Sequence, residues 1–143
     1  MSTNFEQLRR GEMAPPPVAT TVGFTMVSWG DGRARCTMEA DPARHGNPMG
    51  TVHGGVLCDL ADAAMGMAYA STLGEGETFT TLELKINFLR PVWRAALTAD
   101  AEVAHRGKTV GMVEVRIADE RGRLVARASS TCLTLRGDAA SGR

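Results

Sequence analysis

At 143 residues the chain has the length of one domain, and 43% hydrophobic against 22% charged residues is enough to build a core. Sixteen basic residues balance sixteen acidic ones, so the basic excess of a nucleic-acid footprint is absent, and neutrality does little to oppose self-association. Three scattered cysteines, Cys36, Cys58 and Cys132, make neither a disulfide framework nor a zinc spacing, which predicts reduced thiols in a cytoplasmic protein.

The first ten residues hold no apolar run, so no signal peptide is expected. Residues 4–10 predict a short helix stopped by Gly11, and Pro15-Pro16-Pro17 predicts an extended arm laid over the surface. Arg9-Arg10 reads as a solvated pair. Two strands follow, 20–29 and 33–40, joined through Gly30-Asp31-Gly32 as a hairpin. In the second, Ala34, Cys36, Met38 and Ala40 alternate with Arg33, Arg35, Thr37 and Glu39, one buried face against one wet face.

Residues 41–52 form a loop with Pro42, Gly46, Pro48 and Gly50. From Val56 to Leu73 the chain reads as a helix of about five turns, with Val56, Leu60, Ala64, Met67 and Ser71 spaced by three and four. Leu57, Ala61, Ala63, Met65, Ala68 and Tyr69 fill its other faces, so the helix is expected to be buried nearly all round. It is too short and too acidic to span a bilayer. Residues 78–90 predict a long strand with Leu82, Leu84, Ile86 and Phe88 on one face and Glu83, Lys85 and Asn87 on the other, interrupted by Pro91. Strands over 95–105, 109–118 and 124–135 complete the sheet, with turns at Arg106-Gly107-Lys108 and 119–122.

One long helix among antiparallel hairpins has one economical packing: the sheet curls and wraps the helix, an α+β fold. We divide the chain into an N-terminal segment 1–19, a folded domain 20–136 and a frayed tail 137–143.

Two features of the helix invite chemistry. His53-Gly54-Gly55 opens it with two residues of low helix propensity. First-turn amides lack intrahelical partners and sit at the positive end of the dipole, so glycines there expose donors for an anion or oxyanion. A tight loop-to-helix turn that simply needs glycine is the plain alternative. Asp59 and Asp62 are the helix's two carboxylates, and carboxylates are rarely buried without a partner or a task. Solvent-facing residues on a wet stripe are the plain reading, weakened by the apolar neighbours Val56, Ala63, Met67 and Ala70. Gly54 and Asp62 are about 12 Å apart along a helix at ~1.5 Å per residue. Nucleophile and oxyanion donor must both approach one carbonyl, so this spacing points to an active site shared across a two-fold axis.

The motifs Asn47-Pro-Met-Gly-Thr-Val-His-Gly-Gly55, the helix with Asp62, Thr80-Thr-Leu-Glu-Leu-Lys-Ile-Asn-Phe-Leu-Arg-Pro91 and His105-Arg-Gly-Lys108 resemble the hotdog-fold acyl-CoA thioesterases of the PaaI-like branch, related to 4-hydroxybenzoyl-CoA thioesterases. The resemblance spans about 15–135. It implies a hotdog dimer, often paired into a tetramer, with an acyl-CoA substrate and no metal or organic cofactor. It also implies that Asp62 attacks the thioester or activates water, and that the Gly54 or Gly55 amide polarises the carbonyl. Asn47 would bind that carbonyl or order water, His53 would hold the loop, and Thr81, with Thr80 as competing alignment, would position water. Asp59 has no role there and competes with Asp62. Arg90, Pro91, Arg106, Gly107 and Lys108 would contact CoA. His45, His53 and His105 lack metal-ligand spacing, and Met26, Met38, Met65, Met67 and Met112 read as core filler. Tyr69, Phe79, Met67 and Leu82 are candidates for an acyl pocket. The expected activity is hydrolysis of an acyl- or aryl-CoA to the acid and CoA, with a hydratase or dehydratase and a non-catalytic acyl-CoA binder as alternatives.

Overall fold

The computed structural model describes residues 4–142. It carries helices α1 (Asn4–Arg9), α2 (Pro17–Val22), α3 (Pro42–His45) and α4 (Gly54–Ala70) and strands β1 (Phe24–Gly30), β2 (Arg33–Ala40), β3 (Thr78–Phe88), β4 (Ala95–Arg106), β5 (Val110–Ala118) and β6 (Leu124–Leu135). The strands form one antiparallel sheet in the order β1-β2-β4-β5-β6-β3, and α4 packs on one face of all six. This is the α+β arrangement expected from the sequence, a sheet wrapped around one long helix. A 3-10 turn follows at Gly137–Ala140.

The β1–β2 hairpin turns on Asp31 and Gly32, both at positive φ (51° and 74°), the two-residue turn for which Asp-Gly is the favoured pair. Alternation along β2 is as expected: Ala34, Cys36, Met38 and Ala40 are buried. On the other face Arg33 pairs with Glu102 and Arg35 with Asp100 across β4. All four side chains are largely exposed, so these pairs set register more than they add stability. The core is α4 against the concave face, with Leu60, Met65, Tyr69, Leu97, Val113 and Ile117 wholly enclosed.

Three local readings change. Residues 17–22 are a helix, whereas the prolines and β-branched residues had suggested an extended arm leading into a strand at Thr20. Pro17 supplies the fixed φ of a first helical position, and Gly23 closes the turn at φ 93° with its amide on the Ala19 carbonyl. The exposed carbonyls of this turn are then satisfied from afar: Arg44 donates to Thr20 and Thr21, and His45 Nε2 donates to Val22 at 2.7 Å. Tertiary hydrogen bonds outweigh a weak local preference. Second, 41–52 is not wholly a loop, because Asp41 caps the single turn α3 through the Ala43 amide.

Third, α4 starts two residues earlier than expected and buries Leu57, Leu60, Ala61, Ala64, Met65 and Ala68. Asp59 and Asp62 stay exposed in the single protomer, and Val56, Ala63, Gly66 and Met67 are half-buried. Burial all round is therefore not reached by one chain. One helix stripe, apolar apart from its acids, is only partly covered by the chain's own sheet.

Candidate active site

The start of α4 is built by its loop. Asn47 takes the amides of Met49 and Thr51 on its Oδ1 and donates from Nδ2 to the Thr51 hydroxyl at 2.9 Å, holding 47–51 as a closed turn. Gly46 bridges to Val52, and the Val52 amide bonds to the Val92 carbonyl, which pins the loop beside the end of β3. His53 is the N-cap. Its Nδ1 accepts the Gly55 amide at 2.8 Å, and its carbonyl accepts the Val56 amide. Among the described residues the Gly54 amide has no acceptor. The capping geometry thus separates the two glycines: Gly55 is engaged, and Gly54 presents a free donor at the positive end of the helix. A Cβ on Gly54 would lie 2.8 Å from the Phe88 ring, so the aromatic edge covers the approach that glycine leaves open.

Asp62 sits two turns further on. Thr81 donates its hydroxyl to Asp62 Oδ1 at 3.3 Å, so of the two threonines Thr81 is the one placed at the carboxylate. A bulge makes this possible. The β3–β6 register runs Thr81↔Cys132 and then Glu83↔Thr131, leaving Leu82 unpaired. Before the bulge the odd residues Phe79 and Thr81 face α4; after it the even residues Leu84, Ile86 and Phe88 do. Leu82 is correspondingly pushed out, 55% exposed, instead of joining Leu84 on the core face. Burial of the carboxylate's surroundings pushes the Asp62 pKa above the ordinary aspartate value. The Thr81 hydrogen bond opposes that shift and the negative charge of Asp59 adds to it. The residue as a whole keeps an exposed edge, so the carboxylate is reachable.

Asp62 lies on the rim of a cavity of about 790 Å³. Ala63, Gly66 and Met67 of α4 form one wall, Phe79 lies between, and β1 with the N-terminal segment forms the other. Of the four residues proposed for a pocket, Met67 and Phe79 line it. Tyr69 is buried behind Phe79, ring edge to ring at 5.4 Å, with its hydroxyl on Thr134. Phe5, Leu8, Phe24 and Trp29 line the cavity without having been singled out. Phe5 and Leu8, three apart on a short helix, carried the one available signal.

The residues expected to meet CoA are divided by the fold. Arg90 donates its amide to Val125, whereas Arg106, Gly107 and Lys108 lie where β5 meets Leu133 of β6. Along β6 those ends are about 26 Å apart at ~3.3 Å per residue. Arg90 and Pro91 line a smaller cavity of about 160 Å³ with Trp93 and Arg94. Arg106 is committed within the chain, stacked 5.0 Å over Tyr69 and bonded to Thr72, Glu77 and the Gly107 carbonyl. Lys108 and Arg90 are exposed, and their cationic groups make no ion pair among the described residues. His45 is an internal strut between the Asp41 amide and the Val22 carbonyl. No cluster of three or more His, Cys, Asp or Glu suited to a metal occurs among the described residues, and none of their helices is long and apolar enough to cross a membrane.

Residues 49–126 match the model of the Thioesterase superfamily. The chain is 35% identical over 109 residues to the acyl-coenzyme A thioesterase PaaI of Escherichia coli, covering 76% of this chain and 75% of that one. It is 33% identical over 105 residues to the 1,4-dihydroxy-2-naphthoyl-CoA hydrolase of Listeria monocytogenes, covering 73% and 85%. It spans 61% of the length of a Saccharolobus solfataricus protein named as an esterase, at 37% identity over 87 residues. Among solved structures, the E. coli PaaI protein superposes with a TM-score of 0.81 at 27% identity, covering 93% of this chain and 94% of that one. A phenylacetic acid degradation-related protein from Ralstonia eutropha superposes at 0.80 and 34%, covering 90% and 98%.

Proposed function

The chain belongs to the thioesterase superfamily, in the PaaI-like branch of the hotdog fold, and we propose that it hydrolyses an acyl- or aryl-CoA thioester to the free acid and CoA. The observation that carries this reading is a carboxylate, Asp62, lining an apolar cavity, in a fold that gives the Gly54 amide no acceptor among the described residues.

The thioester carbonyl oxygen accepts the Gly54 amide, which stabilises negative charge as the carbon becomes tetrahedral. Asp62 acts at that carbon, directly as nucleophile or by taking a proton from water that attacks in its place. In the first course the C–S bond breaks, the thiolate leaves as CoA, and water hydrolyses the mixed anhydride left on Asp62; in the second the tetrahedral adduct collapses, the C–S bond breaks, and the thiolate leaves as CoA. The proton held by Asp62 returns to the products. Thr81 holds the carboxylate by its hydroxyl and orients water beside it. Asn47 keeps the 47–51 turn closed, and His53 occupies the Gly55 amide, so the loop aims the Gly54 donor. No cofactor is needed for this chemistry.

Asp62 and Gly54 of one helix are too far apart to meet at one carbon, so the site takes Asp62 from one protomer and Gly54 from its partner. The docking edge is β3. It is an outermost strand of eleven residues with Leu82 and Phe88 more than half exposed. Pairing such an edge with its own copy satisfies its unpaired backbone groups. It sets two α4 helices side by side and antiparallel, and brings one chain's Arg90 end toward its partner's Arg106–Lys108 end. A pair of such dimers forms the tetramer.

Thiol release from a panel of acyl-CoAs tests the activity. Asp62→Asn keeps the size and the Oδ1 acceptor that Thr81 uses, so the fold stays while the rate falls by about a thousand-fold, within the range for loss of a general base. Turnover within ten-fold of the wild type rejects Asp62. Tight acyl-CoA binding without any thiol release would favour a binding protein instead.

A further inference from the structure

Resting on the thioesterase reading, we propose that α1 is the closing wall of the acyl chamber beside Asp62, and that Phe5 and Leu8 on it select a bulky, uncharged acyl group. About 790 Å³ lies toward the upper end of the roughly 300–1,000 Å³ of small-molecule sites and is far more than a two-carbon acyl group fills. Among the described lining residues Asp62 is the sole ionisable one, so a carboxylate on the acyl group would meet no counter-charge and would be repelled by Asp62. Four of the chain's seven aromatic residues, Phe5, Phe24, Trp29 and Phe79, face this space. They offer ring faces and edges to an aryl group or flat walls to a chain.

The way α1 is held makes it a wall that opens. It has six residues, none buried, and too few turns to be stable alone. Aromatic contacts tie it to the chamber: Phe5 lies 5.2 Å from the Phe79 ring, and Arg9 stacks 5.4 Å over Trp29. Both partners are chamber walls, so an acyl group entering competes for, and then extends, the same aromatic stack. On the opposite wall, glycine at position 66 leaves room for the Phe79 ring that the acyl group would stack on. At Gly66 an added Cβ would sit 3.3 Å from Phe79, tighter than ordinary packing. The segment that matches the superfamily begins at residue 49, so α1, α2 and β1 supply a wall from outside that shared stretch.

The test measures kcat and KM for acetyl-, succinyl-, decanoyl- and 2-naphthoyl-CoA with the full-length wild type, Phe5→Ala, the double variant Phe5→Ala/Leu8→Ala, Phe5→Trp and Gly66→Ala. The wild type is expected to favour decanoyl or 2-naphthoyl over acetyl and succinyl by about a hundred-fold in kcat/KM. The double variant is expected to shrink that ratio about ten-fold, through KM for the bulky substrates. Phe5→Trp should keep it, and Gly66→Ala, acting from the other wall, should also lower it. Binding of decanoate or 2-naphthoate, read through Trp29 fluorescence, should weaken in step. A merely structural α1 would lower every substrate alike. Preference for acetyl- or succinyl-CoA, or an unchanged ratio in the double variant, overturns the proposal while hydrolysis stands. Failure to hydrolyse any thioester overturns the thioesterase reading and the proposal with it.

Discussion

Two defective chains, Asp62→Asn and Gly54→Ala, are expected to restore each other when they share a dimer. Eight residues of helix separate the two positions, about 12 Å at ~1.5 Å per residue. The tilt of Cβ toward the N-terminus shortens this only by a few ångströms, about 3 Å at most. A carbonyl carbon within about 3 Å of both groups therefore needs them from different chains. Each variant alone loses its rate for its own reason. Asp62→Asn is expected to remove the proposed base, about a thousand-fold or 4 kcal/mol of barrier. In Gly54→Ala the new methyl displaces the Phe88 ring and crowds the free amide, about a hundred-fold. Phe88 is half exposed, so its ring can swing aside and the variant should fold. Random co-assembly makes half of the dimers mixed. In each, one site carries both defects and the other none, so about a quarter of wild-type turnover returns. Thiol release from co-expressed or jointly refolded chains, with native mass spectrometry to count mixed dimers, reads the result. Mixed dimers with no more activity than the two parents would refute the shared site.

The remaining predictions concern pH and packing. The acid limb of kcat/KM should lie above the ordinary aspartate value, because burial raises Asp62 and catalysis needs its ionised form. Thr81→Val removes a lowering hydrogen bond and should move the limb up; Asp59→Asn removes a raising charge and should move it down. The stability sign follows. A raised folded pKa makes a contribution that is present below the unfolded value and lost as pH rises through the folded one, so Asp62→Asn should melt no lower than the wild type at neutral pH. Glu77 has the opposite sign. The Gly74 amide first, then Arg136 and Arg106, hold its pKa below the usual glutamate value against burial. Its contribution is thus present above the unfolded value and lost as pH falls through the folded one. Thermal melts of Glu77→Gln should lie below the wild type at neutral pH and converge with it in acid. Gly111→Ala should be the severe packing lesion, about 3 kcal/mol or roughly 10 °C in Tm, because its methyl would overlap the enclosed Tyr69 ring, whose hydroxyl is tied to Thr134. A melt within about 2 °C of the wild type would contradict that geometry.

Much of this molecule follows from its residue pattern alone. Alternation with period two in β2 and β4, the Asp-Gly turn, and one long apolar helix leave little choice but a curled antiparallel sheet around that helix. The same pattern marks Asp59 and Asp62 as acids out of place and the two glycines as bare amides, and it measures the distance from glycine to acid; only the family resemblance chooses Asp62 between the two acids. Local pattern fails where partners come from far along the chain. The α2 helix exists because Arg44 and His45 reach back to its carbonyls, and nothing in residues 17–22 announces that. A one-residue bulge at Leu82 turns Thr81 toward Asp62, and strict alternation would have aimed it away with Glu83. Which glycine keeps a free amide depends on a side chain, His53, folding back on Gly55. The cavity beside Asp62 is assembled from α1, β1, β3 and α4, with lining residues drawn from Phe5 through to Phe79, so its size and aromatic walls exist only once the sheet has closed on the helix. Spacing along one element is set by covalent geometry and can be read directly; adjacency between elements is set by packing and cannot.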